Sequence, residues 1–231
     1  MPAINISRRK KHFISKREDG DKMENYVITI ARGFGTGGKQ IALKLAEELG
    51  IQCYENRILY LASEMSGVSE TEFMRADEQL IEKGIGGKLR ELPHQLLPLP
   101  VTKRFRSQDK LFDDQTKIIR RLADTESCII VGKCADFVLK DRKNVISVYI
   151  EAPRDYCVKR IMRRMHCGES QAHALITKTD KYRAEYYKYY THGNYWTNPV
   201  NYDLTLNSSR LGEEGCIEMI KACLKVRLEI E

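Results

Sequence analysis

The chain has 231 residues, of which 42% are hydrophobic and 31% are charged, and its formal net charge is +7. This length suits one α/β domain with a small insertion, and the composition is that of an ordinary globular protein. No stretch approaches about 18 consecutive apolar residues, and the first residues are polar and basic. The sequence therefore predicts neither a membrane-spanning helix nor a secretory signal.

The cysteines and the net charge indicate the cellular setting of the protein and the kind of partner that it binds. Seven cysteines occur singly between Cys53 and Cys223, without a CxxC pair, so we expect a reduced, cytoplasmic protein. The positive charge favours anionic partners such as phosphates, nucleotides or nucleic acid. Much of it lies in residues 8–17. Such a run is more typical of a solvated tail than of a nucleic-acid-binding arm, so we interpret residues 1–23 as a disordered basic tail.

We place the domain at residues 24–231. Its first half begins with a predicted strand at Tyr26–Ile30. A glycine cluster follows, and then a helix whose apolar residues recur at helical spacing as far as Leu49. We expect a short strand at 51–54 and helices at about 55–66 and 69–83. Residues 84–107 are rich in glycine and proline, which predicts an insertion or mobile loop.

The second half continues the alternation of helices and strands. The continuous apolar run Cys128–Val131 is typical of a strand buried on both faces. This alternation predicts a mostly parallel sheet covered by helices on both faces. The other predicted elements are a helix at 109–124, a strand at 145–150, a helix from Pro153, a long helix at 170–190, a strand at 202–206 and a helix at 212–228.

The segment from Gly33 to Gln40 has the features of a phosphate-binding loop. Its glycines let backbone N–H groups turn toward phosphate oxygens, and a helix N-terminus follows directly. The pattern G-x-x-x-x-G-K holds, but Gln40 stands where such loops carry a serine or threonine. A strand–helix turn without a ligand is the alternative. The candidate phosphate contacts are Gly33, Gly35, Thr36, Gly37, Gly38, Lys39 and Gln40.

Beyond the tail, the sequence resembles the cytidylate kinase-like family of P-loop monophosphate kinases. The stretches that carry the resemblance are ITIARGFGTGGKQIALKLAEELG with YENRI, CIIVGKCADFVLKD, VYIEAPRDYCVKRIMRR with KTDKYRAEYYKYY, and NYDLTLNSSRLG. It implies a three-layer α/β P-loop NTPase fold like that of adenylate kinase. A helical monophosphate-binding insertion is expected at about 55–115 and a short lid at about 160–183. The implied reaction is transfer of the terminal phosphoryl group of ATP, with Mg²⁺, to CMP or dCMP.

The resemblance also implies catalytic residues. Arg160, Arg163 and Arg164 resemble lid arginines, and Arg160 and Arg164 share a helix face because they are four residues apart. A planar guanidinium grips phosphate in two places. The alternative is a solvated basic helix end. Lys39 is a further candidate for catalysis. When the helix after the glycine cluster is aligned with that of ordinary monophosphate kinases, however, Gly38 rather than Lys39 occupies the position of their lysine.

The resemblance implies that the acceptor contacts residues that follow two predicted strands and residues near the middle of the long helix at 170–190. Polar residues after parallel strands lie at the ligand-binding edge of the sheet. An ordinary surface ion pair is the alternative for Asp180 and Arg183, and we expect the tyrosines of their helix to pack rather than to stack on a base. The candidate substrate-binding residues are Glu55, Arg57, Lys133, Asp136, Asp180 and Arg183.

Magnesium ligands are not identified by the sequence. Val131 stands where ordinary cytidylate kinases carry an aspartate, and we expect Glu151 to cap the helix that follows it. Two hypotheses of another class therefore stay open: a nucleotide-binding regulatory protein without catalysis, and a nucleic-acid-binding protein that uses the tail and the 84–107 loop. The sequence does not predict an oligomeric state.

Overall fold

The computed structural model describes residues 25–55, 57–58, 61–62 and 109–228. Five parallel strands form one sheet in the order β2-β3-β1-β4-β5. This arrangement confirms the predicted parallel α/β sheet, with β1 at its centre. The strands are β1 (Val27–Arg32), β2 (Gln52–Tyr54), β3 (Cys128–Val131), β4 (Val145–Glu151) and β5 (Leu204–Asn207).

Six α-helices lie in the described part of the chain, together with a 3₁₀ turn at Pro199–Asn201. Most begin and end within a few residues of the predicted bounds. The four-residue helix was not predicted, because one turn is too short to show a periodic pattern. The helices are α1 (Gly38–Leu49), α2 (Asp109–Thr125), α3 (Ala135–Val138), α4 (Arg154–Met165), α5 (Glu169–Tyr190) and α6 (Ser208–Leu228).

Helices cover both faces of the sheet and complete three layers. On one face, Ile28 and Ile30 of β1 pack with residues of α1 and α6. On the other face, Val27 and Ala31 pack with residues of α2, α3 and α5. Because successive strand residues point to opposite faces, β1 is buried on both sides along its length. The carboxyl ends of β1 and its two neighbours consequently lie side by side at one edge.

Near the carboxyl terminus a helical turn begins at Ser208, where the Asn207 side chain accepts hydrogen bonds from the backbone and side chain of Ser209. The chain kinks at Gly212, where φ is 71°, so the long helix that follows begins near the predicted position 212. The last strand begins at Leu204 rather than at Tyr202, because the N–H of Tyr202 bonds to the carbonyl of Pro199 and closes the preceding 3₁₀ turn.

Several predictions fall on other parts of the chain. The tail at 1–23, the helix at 69–83 and the loop at 84–107 lie outside the described residues, as does most of the expected 55–115 insertion. Residues 57–58 and 61–62 are helical, in agreement with the helix expected at 55–66. None of the described helices has the length and apolar character needed to cross a membrane.

Candidate active site

The glycine loop connects the end of β1 to the first turn of α1. Gly35 and Gly37 adopt left-handed backbone conformations, with φ of 93° and 88°. Gly37 is the N-terminal cap of α1 and has no side chain of its own that could bond to the N–H groups of the first turn. A Cβ on Gly37 would lie 2.9 Å from Nη2 of Arg160, so a larger residue would push this arginine away. The loop therefore presents backbone donors at a helix N-terminus, which is an arrangement that attracts anions.

Thr36 organises the loop from within. Its hydroxyl donates to the carbonyl of Gly33 at 2.9 Å and accepts from the N–H of Gly38 at 3.3 Å. Its own carbonyl accepts a 2.7 Å hydrogen bond from the hydroxyl of Ser208, at the start of α6. The side chain of Thr36 is thus used to shape the loop, and α6 supports the loop from behind.

Glu55, which directly follows β2, pairs with two cations from the glycine loop region. Its carboxylate lies 3.0 Å from Nη2 of Arg32 and 2.5 Å from Nζ of Lys39. Burial raises the pKa of Glu55, but Arg32 and Lys39 more than offset this effect and hold the pKa below its ordinary value. Glu55 is therefore an ionised carboxylate between two positive charges.

Lys133 and Arg183 add two more cations to this region. Lys133 follows β3 in a left-handed conformation, and burial, with the charge of Arg32, lowers its pKa to about 7. Arg183, on α5, donates to the carbonyl of Arg32 at 3.2 Å. The charges of Glu55 and Arg183 both act on Lys133, so these groups share one neighbourhood. An excess of positive charge in a partly buried site favours binding of a multivalent anion.

Phe34 links the loop to the two helices that carry the predicted lid. Its backbone N–H donates to Oδ1 of Asp180 at 2.8 Å. The guanidinium carbons of Arg164 and Arg183 lie 5.3 and 5.6 Å from the centre of its ring. Cation–π attraction therefore holds two arginines beside the glycine loop.

Arg160 is held beside the loop by an ion pair. Its Nη2 lies 3.0 Å from Oε1 of Glu213, near the start of α6, and its Nη1 is 3.4 Å from the hydroxyl of Tyr156. Glu213 also pairs with Lys44 at 2.9 Å. The first turn of α6 thus positions Arg160 beside Gly37, where it can reach a phosphate bound in the loop.

Two predicted substrate-binding residues have other partners in the structure. Asp136 is buried and accepts a 2.6 Å hydrogen bond from the hydroxyl of Tyr187. Arg57 is exposed, and its guanidinium lies over the ring of Tyr54. The structure therefore brings together Lys39, Glu55, Lys133, Asp180 and Arg183 with the glycine loop, and places Asp136 and Arg57 among other side chains.

The described part of the site has few side chains of the kind that bind magnesium. Within the described ranges, no three His, Cys, Asp or Glu side chains come together in a way that could hold a metal ion. Val131 is buried at the end of β3, and Gln40 stands in the first turn of α1. Glu151 accepts hydrogen bonds from Tyr149 and from the N–H of Ala152. It therefore does not cap α4 as expected, because Pro153 occupies the cap position.

Two functional candidates were missed from the sequence. Arg32 is the last residue of β1 and directly precedes Gly33, a position at which parallel-sheet enzymes place ligand-binding groups. That position was a usable signal. Glu213 lies 53 residues from Arg160, and no spacing rule connects the two. The expected packing role of the tyrosines on α5 is confirmed, since Tyr186, Tyr187 and Tyr190 lie in one buried aromatic cluster.

Comparison with known proteins agrees with this geometry. A cytidylate kinase from Methanopyrus kandleri is 23% identical over 217 residues, which is 89% of this chain and 96% of that protein. The crystal structure of an uncharacterized protein from Eubacterium ventriosum is 25% identical, covers 87% of this chain and 99% of that one, and superimposes with a TM-score of 0.64. The sequence matches the Cytidylate kinase-like family over residues 27–210. The chain belongs to this family and is a phosphotransferase with a P-loop kinase fold.

Proposed function

We propose that the chain transfers the terminal phosphoryl group of ATP to a nucleoside monophosphate, with CMP or dCMP as the preferred acceptor. The observation that carries this proposal is the grouping of cations at the glycine loop: Arg160 lies beside Gly37, and Arg183 and Lys133 lie close to Arg32. Phosphoryl transfer depends on charge stabilisation and on alignment of two phosphates. The similarity to a cytidylate kinase supports the choice of acceptor.

The proposed roles follow from position. The glycine loop binds the phosphates of ATP, with Lys39 at its edge. Arg160 and Arg164 approach the transferring group from α4, and Arg183 and Lys133 hold the phosphate of the acceptor. Glu55 and Asp180 orient the neighbouring cations, as their contacts with Arg32, Lys39 and Arg183 indicate. Magnesium would arrive on the phosphates of ATP and keep much of its water, as this ion does readily.

The test is to measure ADP formation from Mg-ATP with CMP, dCMP, UMP, AMP and GMP as separate acceptors. We expect turnover with CMP or dCMP, and a loss of about 100-fold in turnover in Arg164→Ala, the scale of removing a transition-state contact. Arg121→Ala is the matched control, because Arg121 is exposed and lies near the end of α2, at the amino-terminal edge of the sheet. Absence of transfer to all five acceptors would refute the assignment as a nucleoside monophosphate kinase.

A nucleotide-binding protein without catalysis is the second candidate function. Gln40 and Val131 favour it, since both occupy positions where P-loop enzymes carry magnesium ligands. This candidate predicts saturable ATP binding by calorimetry without ADP formation. A kinase of another small acceptor predicts slow ADP formation that none of the five monophosphates accelerates.

A further inference from the structure

The side chain of Arg32 fills a space left by two glycines. A Cβ on Gly38 would lie 2.7 Å from Cβ and 3.0 Å from Cγ of Arg32. A Cβ on Gly132, directly after β3, would lie 2.5 Å from Nη1 of Arg32. The Cβ and Cγ atoms of Arg32 therefore pass over the first residue of α1, and its guanidinium reaches the end of β3. Both glycines belong to the same edge of the sheet as the glycine loop.

Lys39 occupies a more peripheral position than the motif predicts. Its side chain is 48% exposed, whereas that of Arg32 is 12% exposed. Its ammonium group pairs with Glu55. A charge partly removed from water interacts more strongly with a bound anion than one in solvent does. On burial alone, Arg32 is the stronger electrostatic partner for a phosphate in the loop.

The surroundings of Arg32 also prepare it for an anion. Its carbonyl is bonded to Arg183, and its charge acts on Lys133. One oxygen of Glu55 accepts from its Nη2 at 3.0 Å. A guanidinium has five N–H donors in a planar fork, so it can keep this contact and still bond to phosphate.

We propose that Arg32 is the principal side chain that binds the phosphates of the nucleotide, in the role that the sequence motif assigns to Lys39. Glu55 holds the guanidinium in place before the nucleotide arrives. A side chain at position 38 would collide with Cβ and Cγ of Arg32, and at position 132 both the φ of 75° and the Arg32 guanidinium favour glycine. This inference rests on the proposed function, since it requires that ATP binds in the glycine loop.

The test is calorimetric binding of Mg-ATP to the full chain and to matched variants. We expect Arg32→Met to raise the Kd about 10- to 100-fold, the scale of losing a hydrogen bond between charged groups. Arg32→Lys recovers part of the affinity, because lysine keeps the charge but loses the fork. Lys39→Met raises the Kd by about threefold, as befits a half-exposed ion. Arg121→Met is the remote arginine control.

A double variant separates binding from folding. Arg32→Met combined with Glu55→Gln removes both charges of the pair, so no carboxylate is left without its arginine. We expect the double variant to keep the thermal unfolding midpoint of the unaltered chain and still to bind ATP weakly. Addition of millimolar methylguanidinium to Arg32→Ala is expected to restore part of the ATP affinity. Wild-type affinity in the double variant contradicts the inference.

The outcomes also separate this inference from the proposed function. If the unaltered chain binds no ATP, both fail. If it binds ATP and transfers phosphate while Arg32→Met matches Arg121→Met, the inference alone fails. The same holds if Lys39→Met weakens binding more than Arg32→Met does. If Arg32→Met alone weakens binding strongly, the inference stands, whichever acceptor the enzyme uses.

Discussion

The backbone N–H of Phe34 donates a 2.8 Å hydrogen bond to the carboxylate of Asp180, which ties the glycine loop to the middle of α5. Asp180 also lies 3.8 Å from Nη1 of Arg183, which in turn bonds to the carbonyl of Arg32. One carboxylate therefore connects the loop to a cation of the site. Because the loop contributes backbone donors, its conformation decides whether those donors meet a phosphate.

We predict that Asp180→Ala weakens ATP binding about tenfold and lowers the free energy of unfolding by about 1–2 kcal/mol, because the loop loses a charged acceptor. Asp180→Asn keeps an acceptor oxygen for Phe34 and is expected to retain most of the affinity. Calorimetry and thermal unfolding provide the two measurements. If Asp180→Asn is as damaging as Asp180→Ala, the charge facing Arg183 matters more than the bond to the loop.

The fold was largely predictable because local patterns determine it. The apolar run Cys128–Val131 is a strand with exposures of 0–1%, as its hydrophobicity indicates. The helical spacing of Ile41 and Leu45 places both in the core on one face of the sheet. The glycine cluster predicted the turn between β1 and α1, where Gly35 and Gly37 adopt left-handed conformations. In each case the signal lies within a few residues of the feature.

The partners within the site were not predictable in the same way. Glu55 lies 23 residues from Arg32, and Glu213 lies 53 residues from Arg160. These pairs exist because separate strands and helices end at one edge of the sheet, and no local period encodes them. Asp136 follows β3 as expected, but its partner was not predictable from that position. The turn at Cys134 and the helix α3 direct its carboxylate to Tyr187.

The ion pair of Arg160 gives a second prediction. Arg160→Met is expected to lower kcat about 100-fold, because the arginine beside Gly37 is proposed to act on the transferring phosphate. Glu213→Gln is expected to lower kcat by about three- to tenfold through loss of positioning. Lys44→Met is the control, since Lys44 pairs with the same glutamate. Equal losses in Lys44→Met and Glu213→Gln would indicate that the α6 contact, rather than Arg160, carries the effect.

Lys133 gives a prediction about pH and stability. Its pKa is lowered to about 7 in the folded chain, chiefly by burial, so between pH 7 and the ordinary lysine pKa the unfolded chain binds more protons. The stability of the unaltered protein therefore rises with pH across this window. Lys133→Met is expected to be more favourable to stability at pH 6 than at pH 9, by a difference of about 2–3 kcal/mol.

The measurement for Lys133 is chemical denaturation at pH 6 and pH 9, combined with acceptor titrations. Lys133→Met is expected to raise the KM for the monophosphate while it stabilises the free protein, since the buried cation is kept for binding rather than for folding. A stability gain that is the same at both pH values would mean that Lys133 stays charged throughout.

For Asp136, the predicted change of stability with pH has the opposite sign to that for Lys133. Burial raises its pKa to about 6, although the hydrogen bond from Tyr187 works in the other direction. Between the ordinary aspartate pKa and pH 6 the folded chain therefore binds more protons than the unfolded one, and stability falls as pH rises through this window. Asp136→Asn removes the ionisation and keeps an acceptor for Tyr187. It is expected to stabilise the chain by about 1–2 kcal/mol at pH 8 and to have little effect near pH 4.

Tyr187→Phe is the matched variant for this pair. It removes the Tyr187 donor and leaves the backbone N–H groups of Asp136 and Phe137 on the carboxylate, so we expect it to lower the free energy of unfolding at pH 8 by about 1 kcal/mol, the scale of one hydrogen bond. Acceptor titrations with both variants then address the substrate role expected from the sequence. If Asp136 contacts the monophosphate, Asp136→Asn changes the KM for the acceptor more than Tyr187→Phe does. If Asp136 instead anchors α3 to α5, a variant raises the KM for the acceptor only where it also destabilises the chain. The stabilised Asp136→Asn protein then binds the acceptor as well as the unaltered chain does.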